Sequence, residues 1–200
     1  MASVIASSKP NTTIYLRGGS YDLVELKGIK SFPDNLTLIG DEFSTATIAG
    51  MSISSGVSNI NANTDLLSTL MAKNLKLKNI TFSDVFSVYN CNIDGITLES
   101  CNFDAGSYVS ITPKNTYDKY GADTATNMNN IYAFRECNNI AIKNCYFANA
   151  SDENASAINL MNIKNATISY NTITAANQYG IFVNSYGDNN TININGNTIR

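Results

Sequence analysis

Histidine is absent from this chain of 200 residues, and only 14% of its side chains are charged. Without histidine, every Ser-His-Asp or Cys-His mechanism is excluded and a zinc site is poorly supplied with ligands. The formal charge of −3 arises from 13 basic and 16 acidic residues. The basic residues form no stripe that could bind the phosphates of a nucleic acid, so we expect no nucleic-acid partner.

Long apolar runs are also missing. No stretch approaches the length of a membrane span, and the first residues show no basic region followed by an apolar one. We therefore expect no membrane partner. The four cysteines form no CxxC pair, which favours buried free thiols over a metal site. These cysteines are Cys91, Cys101, Cys137 and Cys145.

A short pattern recurs instead: an aliphatic residue, any residue, a second aliphatic residue, several polar or small residues, and then Phe or Ile. Copies begin at Leu36, Leu75, Ile96, Ile140, Ala166 and Ile192, the first of them partial. Measured at the second aliphatic residue, successive copies are separated by 39, 21, 44, 26 and 26 residues. Period-two alternation over so few residues predicts a strand that cannot bury its apolar face alone, so the copies must stack.

Steps of 21 to 26 residues suit one turn of a three-sided coil. The sequence therefore predicts an all-β chain folded as a right-handed parallel β-helix, which is a solenoid of stacked coils. A β-sandwich is the structural alternative, and the scarcity of tight hairpin signals disfavours it. A second apolar strand should precede the repeat by eight residues in each coil, marked by Leu67, Val88, Tyr132 and Ile158.

Stacked copies predict columns of equivalent side chains. One interior column should contain Phe82, Phe103, Phe147, Ile173 and Ile199. In the adjoining turn we expect Cys101 over Cys145 and Asn171 over Asn197, because asparagine tolerates the left-handed conformation that such turns use. On the outward face, charge should alternate up the stack through Lys78, Glu99 and Lys143.

The repeat indicates one domain over residues 1–200. Residues 1–40 are interpreted as an N-terminal cap with a first irregular coil, and 41–200 as the repeat coils. The 44-residue step predicts an insertion loop at about 112–129. Because the chain stops directly on a repeat at Arg200, we expect a longer parent chain, or an oligomer such as a homotrimer that shields the last coil.

The segments Ile14–Tyr21 (IYLRGGSY) and Asn35–Gly40 (NLTLIG), followed by coils of the form Asn-aliphatic-x-Ile-x-x-Asn-x-Ile, resemble the pectate-lyase-like right-handed β-helix superfamily. That group includes polysaccharide lyases, NosD-like repeat proteins, phage tailspikes and adhesins. The resemblance implies an extracellular protein, associated with a cell surface or a virion, that binds polysaccharide or presents a surface to it. Two alternatives stay open: a polysaccharide lyase or glycoside hydrolase, and a purely structural segment of an adhesin or tail fibre.

The resemblance also implies what an enzyme of this group would need. Its lyases hold calcium with acidic residues and use Arg or Lys to remove a proton, but no lyase signature is recognisable, and no carboxylate pair lies on a repeat strand for a hydrolase. The catalytic candidates are Arg135 and Glu136, which could serve as the base of a lyase and its partner residue. The alternative interpretation is that the two side chains form a surface ion pair. Calcium is a possible cofactor, and its candidate ligands are Asp123, Asp152 and Glu153. The alternative interpretation is that these carboxylates are solvated loop residues that bind no ion.

The insertion loop supplies the substrate-binding candidates, which are Tyr117, Asp118, Lys119, Tyr120 and Asp123. Long loops on solenoids often carry the recognition surface. Tyrosine beside Asp and Lys offers a sugar an apolar ring face together with hydrogen bonds to its hydroxyl groups. The alternative interpretation is a solvated loop with incidental tyrosines.

Overall fold

The computed structural model describes residues 1–27, 32–54, 71–89, 91–112, 137–148, 156–174, 179–185 and 190–200. Over these residues β-strand is the dominant secondary structure. One short helix, α1 (Ala2–Ser7), precedes the strands. The strands form three parallel sheets of seven, seven and six members.

Sheet A contains β1 (Thr13–Leu16), β4 (Thr37–Gly40), β7 (Met71–Lys78), β10 (Asn92–Glu99), β13 (Cys137–Lys143), β16 (Asn165–Ser169) and β19 (Thr191–Asn195). Sheet B contains β2 (Gly19–Tyr21), β5 (Ala46–Ile48), β8 (Thr81–Phe82), β11 (Asn102–Phe103), β14 (Tyr146–Ala148), β17 (Thr172–Thr174) and β20 (Thr198–Ile199). Sheet C contains β3 (Val24–Lys27), β6 (Met51–Ser54), β9 (Phe86–Tyr89), β12 (Val109–Thr112), β15 (Ile158–Met161) and β18 (Ile181–Asn184).

The chain visits the three sheets in the fixed order A, B, C, and each strand from β1 to β17 pairs in parallel with the strand three places further along the chain. Each circuit is therefore one coil, and the coils stack. The predicted parallel β-helix is confirmed. Helix α1 lies at the first coil, where it contacts β3 and buries Ile5 completely.

The core is the space that the three sheets enclose. Along most strands, buried and partly exposed residues alternate, because successive side chains of a strand point to opposite faces. The predicted interior column is in register: Phe82 pairs with Phe103 and Phe103 with Phe147. Their stacked rings lie 5.1 and 4.5 Å apart between centroids. The column continues through Ile173 to Ile199.

The last member of that column, Ile199, is in register with Ile173 but is 54% exposed, because among the described strands none pairs with β20 on the side away from β17. The predicted second apolar strand is confirmed where the structure describes it, since Val88 and Ile158 both lie on sheet C. The two residues lie in adjacent interior columns, however. On the intervening strand β12, Val88 pairs with Ile111, whereas Ile158 pairs with Val109. Leu67 and Tyr132 lie outside the described residues.

The turn from sheet A to sheet B uses one left-handed residue in each of five successive coils, at Asn79, Ser100, Asn144, Tyr170 and Gly196. The next residue in each coil points inward. This inward column holds the predicted pairs in the predicted order, with Cys101 and Cys145 followed by Asn171 and Asn197. A single left-handed residue bends the backbone sharply enough to change sheet without lengthening the coil.

Candidate functional site

The site residues expected from the sequence all lie outside the described residues. They are Tyr117, Asp118, Lys119, Tyr120 and Asp123, the pair Arg135 and Glu136, and the pair Asp152 and Glu153. Substrate binding, catalysis and calcium binding by these residues therefore stay predictions. Of the insertion loop at 112–129, only Thr112 is described, as the last residue of β12.

Chain order connects these residues to sheet C. The segment 113–136 follows directly after β12, and the segment 149–155 precedes β15 by two residues. Both strands belong to sheet C. Because recognition residues are usually carried by loops that a rigid scaffold positions, the outer face of sheet C is the first surface to consider.

The outer face of sheet C carries a column of small polar side chains. Ser52 is in register with Ser87, Ser87 with Ser110, and Ser110 with Asn159. All four are partly exposed, whereas the apolar residues on either side of each are buried. A hydroxyl both donates and accepts hydrogen bonds, and an amide offers both functions as well, so this column presents mixed donors and acceptors at every coil.

Two polar atoms on this face have no hydrogen-bond partner among the described residues. They are the Oγ of Ser54 and the Oδ1 of Asn159, and both atoms are buried. Ser54 is 1% exposed and is in register with Tyr89 on the next coil. A buried polar atom without a partner costs about 1–3 kcal/mol, but neither oxygen is accessible from the surface, so the accessible side chains of the column are the ones that a ligand would meet.

The outer face of sheet C carries little charge. Its first strand holds Glu25 and Lys27, whose carboxylate oxygen and Nζ lie 3.0 Å apart, each side chain about half exposed. That contact raises the pKa of Lys27, chiefly through the hydrogen bond to Glu25. Beyond this pair, the described outward residues of the sheet are uncharged. The face therefore suits a ligand recognised through hydroxyl groups better than one recognised through charge.

Sequence reasoning missed the serine column because its members are separated by 35, 23 and 49 residues, which hides their equivalence. A local signal does exist. Each serine lies between two apolar residues, in the triplets Met51-Ser52-Ile53, Phe86-Ser87-Val88 and Val109-Ser110-Ile111. This triplet marks three of the six strands of sheet C and is therefore a weaker signal than the longer repeat on sheet A.

A second polar cluster lies on the outer face of sheet A, around Glu99. Its carboxylate oxygens lie 2.7 Å from the Nζ of Lys76, 3.5 Å from that of Lys78 and 3.4 Å from that of Lys143. The predicted alternation of charge through Lys78, Glu99 and Lys143 is thus confirmed. Lys76 is a further cation in contact with Glu99 that the sequence did not predict. The hydrogen bond from Lys76, with the charges of Lys76 and Lys143, lowers the pKa of Glu99 to about 2. A carboxylate so stabilised holds no proton at neutral pH, so the cluster ties three coils together and lacks the properties of a general acid.

All four cysteines are buried thiols, as the sequence predicted. The Sγ of Cys101 donates to the carbonyl oxygen of Leu77 at 3.6 Å, and the Sγ of Cys145 to that of Leu98 at 3.6 Å. Burial raises the pKa of Cys101 and of Cys137. A thiol that resists deprotonation is a poor nucleophile, so these residues are part of the core.

Among the residues that the structure describes, no three His, Cys, Asp or Glu side chains are close enough to hold a metal ion. In the same part of the chain, no helix has the length and apolar character needed to cross a membrane. A scan against protein-family models finds no match, and comparisons with curated proteins and with solved structures find none either. The surfaces of the coil stack are therefore the features of the molecule that bear on function.

Proposed function

We propose that this protein binds polysaccharide along the outer face of sheet C, as a surface- or virion-associated β-helix of the pectate-lyase-like superfamily. The observation that carries the proposal is the column Ser52, Ser87, Ser110 and Asn159, whose partly exposed side chains lie in register on one outer face. A sugar polymer presents hydroxyl groups at regular intervals. This column presents complementary hydroxyl and amide groups at regular intervals.

The spacing of the column follows from the fold. Neighbouring strands of a sheet lie about 4.8 Å apart, so four coils span about 14 Å of surface. Small side chains leave this strip shallow, and its polar groups are already held in place by the buried apolar residues on either side of them. Preorganised polar groups need little reordering when a ligand binds, which lowers the entropic cost of binding.

Retention of the full chain on immobilised neutral and acidic polysaccharides tests the proposal. We expect Ser87→Gln and Ser110→Gln to reduce the retention of a bound polysaccharide about tenfold or more, because each adds bulk over the strip without adding charge. Thr167→Gln is the matched control, since Thr167 is an exposed outward residue of β16 on sheet A. It should retain the polysaccharide as the unchanged protein does.

Two results would refute binding at this strip: no polysaccharide of the panel is retained, or both serine variants are retained as strongly as the control. The same incubation separates binding from cleavage. Ultraviolet absorbance from unsaturated uronates would replace the binding proposal with the lyase alternative. In that case Arg135→Ala should abolish the absorbance.

A further inference from the structure

The connection between β4 and β5, residues 41–45, displays an aromatic ring. Phe43 is 98% exposed, more than any other large hydrophobic residue in the described part of the chain. Single exposed apolar residues are common on protein surfaces and need no explanation by themselves. The surroundings of Phe43 are what distinguish it.

Phe43 borders an open groove of about 330 Å³ at the turn from sheet A to sheet B. The connection 41–45 lines one part of the groove. Side chains from the next two coils line the remainder, namely Asn79, Thr81, Ser100 and Asn102. Apart from the ring, the groove is therefore built from hydroxyl, amide and carboxylate groups.

The connection that carries Phe43 is held in one conformation by Asp41. The backbone N–H of Phe43 donates to Oδ1 of Asp41 at 2.9 Å, and the hydroxyl of Ser44 donates to Oδ2 at 2.8 Å. Ser44 in turn lies so close to Gly18 that a Cβ at that position would collide with it. The backbone that carries the ring is thus an ordered turn, so little backbone entropy is lost when a ligand covers the ring.

We propose that this groove is a binding site for a neutral hexopyranose ring, with Phe43 against the apolar face of the sugar and Thr81, Asn102 and Asp41 hydrogen-bonded to its hydroxyl groups. Aromatic rings stack on the C–H face of a sugar, while amide, hydroxyl and carboxylate groups bond its rim. The site lies on a different face from the serine column and does not depend on it.

Charge selects the class of sugar. Asp41 and Glu42 both border the groove. The N–H of Phe43 and the hydroxyl of Ser44 lower the pKa of Asp41, so this carboxylate is ionised at neutral pH. Two carboxylates repel a uronate or a sulfated sugar and accept hydrogen bonds from uncharged hydroxyl groups. A neutral pyranose is therefore preferred over its acidic counterpart.

Saturation-transfer NMR on the full chain tests the site, with methyl β-D-glucopyranoside, methyl β-D-galactopyranoside and methyl β-D-glucuronide as probes. We expect transfer to the ring-face protons of at least one neutral glycoside, with binding about tenfold weaker for the glucuronide. Phe43→Ala should remove the signal. Tyr15→Ala is the control, because Tyr15 is an aromatic residue, 75% exposed, that does not line the groove.

The outcomes are distinct. Absence of transfer from both neutral glycosides would overturn the proposal, as would an unchanged signal in Phe43→Ala or glucuronide binding as strong as that of the neutral sugars. Because the side chain of Phe43 is almost fully exposed, its removal leaves the fold intact, which circular dichroism of the variant verifies. Ser87→Gln should leave the glycoside signal unchanged, so failure of the serine-column proposal and failure of this one are distinguishable.

Discussion

The side-chain amide of Asn171 donates to the side-chain oxygen of Asn197, one coil further on, at 2.9 Å. It also donates to the carbonyl oxygen of Ile142, one coil back, at 2.9 Å, while its own oxygen accepts the backbone N–H of Cys145 at 2.9 Å. One buried side chain thus links three coils. Asn197 repeats the bond to the coil behind it, donating to Ile168 at 2.8 Å.

Replacing Asn171 with alanine should lower the free energy of unfolding by about 3 kcal/mol. The change leaves the N–H of Cys145 and the carbonyl of Ile142 without this partner inside the core, and each unsatisfied buried group costs about 1–3 kcal/mol. Urea denaturation measures the loss. Asn195→Ala, at an exposed position of β19, should change stability by no more than about 0.5 kcal/mol. An equal loss of unfolding free energy in the two variants would show that the hydrogen bonds of Asn171 do not stabilise the coil stack.

The phenylalanine stack predicts a larger loss. Phe103 lies between Phe82 and Phe147 and is fully buried, so Phe103→Ala opens a cavity and removes two ring contacts. We expect a loss of about 3–5 kcal/mol by chemical denaturation. Phe43→Ala removes the same side chain from an exposed position and should be nearly neutral. A Phe103→Ala variant as stable as Phe43→Ala would show that the interior column is not packed as described.

Acid should weaken the contact between coils at Glu99. Because the folded-state pKa of Glu99 is lowered to about 2, its stabilising effect is present above the ordinary carboxyl range and is lost as pH falls toward that value. We expect Glu99→Gln to be less stable than the unchanged protein by about 1 kcal/mol at neutral pH, after allowance for solvent screening. The difference should shrink steadily in urea titrations at lower pH. A difference independent of pH would contradict the ion-pair explanation.

The cysteines should be inert until the chain unfolds. Reaction with a thiol reagent requires the thiolate and access to it. Burial denies access to all four cysteines, and it also raises the pKa of Cys101 and of Cys137. Mass spectrometry after iodoacetamide treatment should show no addition to the folded protein and four additions in denaturant. A Ser83→Cys variant, modified at an exposed site, should gain one addition when folded. Rapid labelling of the unchanged protein under native conditions would disprove this prediction.

The columns of sheets A and B and of the turn between them were predictable because their residues recur with one local pattern. Phe82, Phe103 and Phe147 follow their repeat strands by the same distance, so equivalence in sequence becomes register in space. The serine column was not predicted. Connections of different length separate Ser52, Ser87 and Ser110, and only the closure of each coil returns them to one line.

The amino-acid sequence by itself determined the parallel β-helix, because short alternating strands can bury their apolar faces only by stacking on copies of themselves. It determined the inward cysteine and asparagine column for the same reason. Only the tertiary structure decided which polar side chains share an outer face. Residues far apart in sequence, such as Phe43 and Asn102, line one groove because coil closure, and not local pattern, sets the distance between them.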